Sequence, residues 1–157
     1  MAEVAIVSQA EILYSVAGRR IQQAFDLLRV GFTLLPIAAG ADKFFHWLAN
    51  WEMYLAPPLA SLLPVSAHQF MLVVGVAEIA AGICVAVTPR IGGLVVGSWL
   101  LAVAANLLLF PGFYDIALRD LGLAAAAFSL WRLGQVTQGT PLGGTRELLH
   151  ELNRKIA

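Results

Sequence analysis

Four stretches of this chain, each dominated by apolar side chains and close to twenty residues long, leave few folds open to it. They run from about Phe25 to Trp47, Gln69 to Thr88, Ile91 to Phe110 and Phe113 to Leu133. A bilayer's hydrocarbon core is about 30 Å thick and takes about 20 helical residues to cross. Inside it every backbone polar group must be satisfied within the chain, which helices achieve and isolated strands do not. Composition points the same way: 59% of residues are hydrophobic, 13% are charged, and mean hydropathy is +0.77. The expected fold is therefore an all-α membrane protein, a four-transmembrane-helix bundle that makes the lipid bilayer its first partner. Four spans and their connections use most of the 157 residues, so no second domain is expected.

Prolines mark the connections. Pro36 falls inside the first span and removes one helical hydrogen bond there. Pro89-Arg90 is a short turn that makes the second and third spans a hairpin, and Pro111-Gly112 separates the third from the fourth. Trp131 and Arg132 close the fourth span with an interfacial aromatic and a basic residue. Arg19, Arg20, Arg90, Arg132, Arg146, Arg154 and Lys155 then share one side, while the connections on the other side have neither Lys nor Arg. The positive-inside rule places both termini in the cytoplasm, as for a multi-pass protein of a bacterial cytoplasmic (inner) membrane. Residues 1–24 form a cytoplasmic segment without the features of a secretory signal, and are expected to be retained. Residues 25–133 are the transmembrane domain. Residues 134–157 are a cytoplasmic tail: a glycine-rich linker from Gly134, then a short amphipathic helix carrying Leu148, Leu149, Leu152 and Ile156.

Charges inside spans cost a few kcal/mol each at the helix centre, so they face the bundle interior and find partners. Arg29 sits about a turn inside the first span, shallow enough to snorkel or to pair with Asp26. Glu78 is roughly 13 Å into the second span with no charged neighbour in sequence, and so needs a partner or a proton. Asp115 and Arg119 have i,i+4 spacing on the fourth span, with Asp120 beside them. Asn106 adds a neutral donor and acceptor from the third. Lys43, Glu78, Asn106, Asp115, Arg119 and Asp120 can therefore form one intramembrane polar cluster in the outer half of the bundle, either as interhelical glue or as a proton or small-ligand site. The role of Asp42 is not legible from its position. Gly75, Gly82, Gly93, Gly97 and Gly122 suit close helix packing, and Gly93-x-x-x-Gly97 serves equally within one chain or between two copies in a homo-oligomer.

The longest connection, between Trp47 and His68, is aromatic, apolar and broken by three prolines, which suits the membrane interface. His46, Trp47, Trp51, Tyr54 and His68 are its interfacial or ligand-facing residues. Two histidines without a third ligand mark an interface rather than a metal or haem site, so no metal is expected. Formal net charge is +0, and no long basic run offers a footprint for nucleic acid. Cys84 is the only cysteine, which excludes a dithiol relay within this chain.

R-V-G-F from Arg29, A-G-A-D-K-F-F from Ala39, V-A-E-I-A-A-G from Val76 and the Pro89-Arg90 turn together resemble the DoxX family of small bacterial membrane proteins. The likeness covers about the first three spans and more loosely the fourth, through Arg29, Gly31, Gly40, Lys43, Glu78, Gly82 and Arg90. It implies a four-helix bundle, and for some members or relatives a link to thiosulfate:quinone oxidoreductase or to membrane-associated oxidoreductase complexes. The chain has no cysteine cluster, no evident haem pair and no dinucleotide fingerprint, so catalysis by it alone is not expected and no catalytic residue is assigned. The expected function is that of an accessory or quinone-linked subunit beside redox-complex partners, with quinone the ligand the resemblance implies. The alternatives are a small-solute or proton-linked permeation protein and a structural membrane scaffold.

Overall fold

The computed structural model describes residues 2–109 and 111–139, with side chains described for residue 9, 12–109 and 111–137. Every regular element among the described residues is helical: α1 (Ala2–Phe45), α2 (Pro57–Ala60), α3 (Ala67–Val87), α4 (Pro89–Leu108) and α5 (Tyr114–Gly139), with a 3-10 turn at Trp51–Tyr54. Three of these, Ile12–Phe45 within α1, α3 and α4, are long and apolar enough to cross a membrane. Helix α5 does not reach that apolarity, because Asp115, Arg119 and Asp120 share its first turns and Arg132 lies further along.

Faces turned away from the other helices are as apolar as those turned inward. Leu27 and Leu34 on α1, Val73 and Val87 on α3, and Ile91 and Leu94 on α4 are all exposed. Water would not tolerate contiguous apolar faces of this extent, whereas lipid is their natural solvent. Between the helices, α1 packs on α3, α3 on α4, α4 on α5, and α5 back on α1. The main buried cluster joins Phe25, Phe32, Val85, Val96, Ala127 and Leu130.

Element boundaries depart from the sequence expectation at three places. Residues 2–24 are helical and continuous with the first span: α1 is one helix of 44 residues, about 66 Å at the helical rise and far longer than a bilayer core. Pro36 lies inside it without ending it. Pro89 is the first residue of α4 rather than part of a turn, a position where its missing N–H is no loss, and Thr88 alone separates α3 from α4. The linker expected from Gly134 is helical up to Gly139, and Gly134 is buried where a β-carbon would lie 3.3 Å from the Arg90 backbone. The amphipathic helix expected at Leu148, Leu149, Leu152 and Ile156 lies outside the described residues, as do Arg146, Arg154 and Lys155.

Two glycine contacts set the helix positions. A β-carbon on Gly93 would meet the Trp131 N and Ala127 O at 2.8 and 2.9 Å, and one on Gly97 would meet the Phe128 ring. Both glycines of the Gly93-x-x-x-Gly97 motif are thus used by α5 of the same chain, which takes that face away from a homodimer. On the other side of the molecule, Gly40 and Gly75 bring the α1 and α3 backbones together. A β-carbon on either would approach the other's carbonyl oxygen to 2.5 or 2.7 Å.

Candidate functional site: a roofed cavity with a buried ion pair

The Gly40–Gly75 contact positions the most deeply placed charges. Lys43 follows Gly40 by one turn and its Cβ lies over Gly75, while Glu78 follows Gly75 by one turn and its Cβ lies over Gly40. From these stations the Lys43 ammonium donates to Glu78 Oε2 at 2.6 Å, with the two side chains 3% and 13% exposed. The partner that Glu78 requires is therefore on α1. Trp51 covers the pair from the connection, its ring centroid 3.7 Å from Lys43 Nζ, a distance at which a cation is attracted to the ring face. Trp99 Nε1 approaches the other Glu78 oxygen at 3.5 Å, the outer limit of a hydrogen bond.

The connection between α1 and α3 folds into a roof, pinned at three points. Asp42, buried at the end of α1, accepts from the backbone N–H of Trp47 and Leu48 at 2.9 and 3.0 Å and from Trp51 Nε1 at 2.8 Å. One carboxylate thus turns the chain and fixes the tryptophan over Lys43. Asn106 of α4 donates to the Tyr54 carbonyl at 2.7 Å and accepts from the Ala56 N–H at 3.0 Å. That pairing seats Leu55 and Ala56, both buried, against the bundle. At the surface, Glu52 meets His46 Nε2 at 3.0 Å and His68 Nδ1 at 2.7 Å. The His68 contact, opposed by partial burial and aided by the Glu52 backbone N–H and by His46, holds the Glu52 carboxyl below its ordinary value.

Beneath the roof is a cavity of about 390 Å³, at the small end of ligand-binding pockets. Its walls are mostly apolar, with Leu55, Leu59, Phe70, Met71, Val74, Val103 and Ile116 among them. The polar groups on them are Lys43, Glu78, Asn106, Arg119 and Asp120, together with the ring faces and polar edges of Trp51, Tyr54 and Trp99. Asp120 is buried, and Arg119 Nε lies 3.3 Å from its Oδ1 while the rest of the arginine is largely exposed. A cavity of this kind suits a flat ring with hydrogen-bond acceptors: it offers indole faces to stack on and an ammonium to donate.

Five of the six residues expected to cluster line this one cavity; Asp115 does not. It is exposed in the first turn of α5, where a carboxylate suits the helix dipole, and the ion pair of Arg119 is with Asp120 instead of the i+4 partner. Asn106 is engaged mainly in holding the roof. Of the loop residues, Trp51 and Tyr54 face the cavity, whereas Trp47 is 82% exposed and stacks on Phe45. Arg29 donates to the Ala86 carbonyl near the end of α3, while Asp26 accepts from Gln22. Sequence reasoning did not single out Trp99, although its place two turns before Asn106 puts both on one face of α4. Nothing local signalled Phe70, Met71 or Val74, which are apolar residues in an apolar helix.

No family model, curated protein or solved structure matches this chain.

Proposed function

We propose that this chain is a multi-pass protein of a bacterial cytoplasmic membrane that binds the headgroup of a quinone-type amphiphile beneath its outer roof, as an accessory subunit of a membrane redox complex. In this reading α1, α3, α4 and α5 all cross the bilayer as a four-helix bundle. Arg119 and Asp120 of α5 line the cavity, and both termini are cytoplasmic. The observation that carries it is the Lys43–Glu78 pair on the wall of an apolar cavity flanked by Trp51 and Trp99. A simple interhelical tie would not need a cavity of this size beside it.

A quinone ring presents two carbonyl acceptors on a planar body, and its isoprenoid tail belongs in lipid. Lys43 and the Trp99 N–H supply donors, the indoles supply stacking faces, and Glu78 and Asp120 are carboxylates within reach of the same space. The resemblance to DoxX proteins supports the redox setting. Electrons come from the partner subunits, and this chain contributes the binding pocket and its protons.

Purification of the native protein from its own membranes in gentle detergent tests this, with mass spectrometry of the extracted lipid and of the copurifying proteins. A quinone near one equivalent together with a redox subunit is the expected result. A homo-oligomer carrying phospholipid alone contradicts it and shifts the weight to permeation or scaffolding, which proteoliposome flux then separates.

A further inference from the structure

The roof's three pins differ in kind. Those at Asp42 and Asn106 are made with backbone groups and the Trp51 indole. The third, at the surface, joins two imidazoles to one carboxylate, and it comes from three separate places: His46 just after α1, Glu52 in the 3-10 turn, and His68 in the first turn of α3. We infer that His46, Glu52 and His68 form a binding site for a divalent transition-metal ion of the zinc class, which clamps the roof over the cavity.

The ligand atoms, His46 Nε2, His68 Nδ1 and a Glu52 carboxylate oxygen, all lie within 4.8 Å of one another. Ligands about 2.1 Å from one tetrahedral ion stand about 3.4 Å apart, so the widest gap has to close by on the order of 1 Å. Both histidines are exposed, and their rings lie nearly parallel with centroids 5.7 Å apart, so small side-chain rotations suffice. His46 has φ of 55°, the left-handed conformation with which helices commonly stop, and it turns the chain at the end of α1 so that the ring stands beside Glu52.

Two imidazole nitrogens and one carboxylate form a donor set suited to zinc, cobalt or nickel rather than to calcium or magnesium, which prefer oxygen ligands. Three protein ligands leave a fourth position for water, open to the outer aqueous side. A bound ion ties the two ends of the roof, at His46 and His68, to its centre at Glu52. The inference does not depend on what the cavity holds.

The test uses the full chain in lipid nanodiscs, stripped with chelator and titrated with Co²⁺ and then with Zn²⁺. One equivalent of Co²⁺ giving visible d–d absorption is expected, displaced by Zn²⁺, with Zn²⁺ raising the thermal midpoint. His46→Ala, His68→Ala and the milder Glu52→Gln each weaken binding by at least about tenfold. His150→Ala, which removes the chain's remaining histidine, leaves it unchanged. Absence of a stoichiometric Co²⁺ spectrum in the wild-type protein overturns the site. So does a spectrum retained in His46→Ala and His68→Ala but lost in His150→Ala, which would assign the binding to the tail or to an adventitious ion.

Discussion

Lys43 on α1 and Glu78 on α3 meet at 2.6 Å because each projects over the other helix's glycine, Gly75 and Gly40 respectively. The ion pair and the glycine crossing are thus one device. The crossing brings the helices close enough for a short bridge, and the bridge neutralises charges that lipid would otherwise reject.

Glu78→Gln keeps the shape of the side chain and a hydrogen bond to Lys43 but removes the charge and the titratable proton. Lys43→Met leaves a carboxylate without its cation in an apolar setting. Removing one partner of a buried pair costs about 3–5 kcal/mol in water-soluble proteins, and polar contacts in membranes are weaker, so a loss of about 1–3 kcal/mol is expected for Lys43→Met. The double variant Lys43→Met/Glu78→Gln should be less destabilised than the sum of the single changes. Thermal unfolding of the four proteins in one detergent measures this.

Gly40→Leu should be worse than either charge substitution. Its side chain would occupy the space of the Gly75 carbonyl and of the Ile79 and Glu78 side chains, which forces α1 from α3 and separates the ion pair. A loss of about 3 kcal/mol or more, or failure to accumulate in the membrane, is expected from overpacking at a backbone contact. Gly122, where a β-carbon would meet nothing within 4 Å, should accept Ala with a change within about 0.5 kcal/mol.

Asp42→Asn tests the roof. An amide oxygen can serve only part of the three N–H groups that the carboxylate accepts, and its NH₂ faces donors. Trp51 should be released from Lys43, red-shifting its emission and speeding proteolysis between Trp47 and His68, while the helical content stays the same. Loss of helical signal would place Asp42 in the bundle's stability rather than in its roof.

Topology is checked by cysteine labelling in a Cys84→Ala background. Single cysteines at Leu62 and at Arg20 should react from opposite faces of the membrane with an impermeant maleimide. Labelling of both from one face would contradict four spans, and with them the assignment of the cavity to the outer half of the bilayer.

Much of the helical layout was legible because long apolar runs and prolines speak directly to a bilayer's thickness. Helix α5 was harder: Asp115, Arg119 and Asp120 suit a span only if they turn inward, which depends on tertiary neighbours. The depth of Glu78 announced a need for a partner, but the identity of Lys43 as that partner depends on how α1 crosses α3, and two isolated glycines do not reveal which pair meets. Asp42 was opaque for a related reason. Its ligands are backbone N–H groups, which have no signature in a sequence. Glu52 stands six residues from His46 and sixteen from His68, and its contacts with both arise only once the intervening chain has folded back.

The measurement nearest the central claim is titration of the protein in nanodiscs with a short-chain quinone, followed through quenching of tryptophan fluorescence and compared with Lys43→Met and Trp99→Phe. Saturable quenching at one equivalent, weakened by at least about tenfold in Lys43→Met and reduced in amplitude in Trp99→Phe, is the predicted result. Quenching that rises linearly without saturation and is the same in all three proteins would show quinone partitioning into lipid alone, and would contradict the cavity as its binding site.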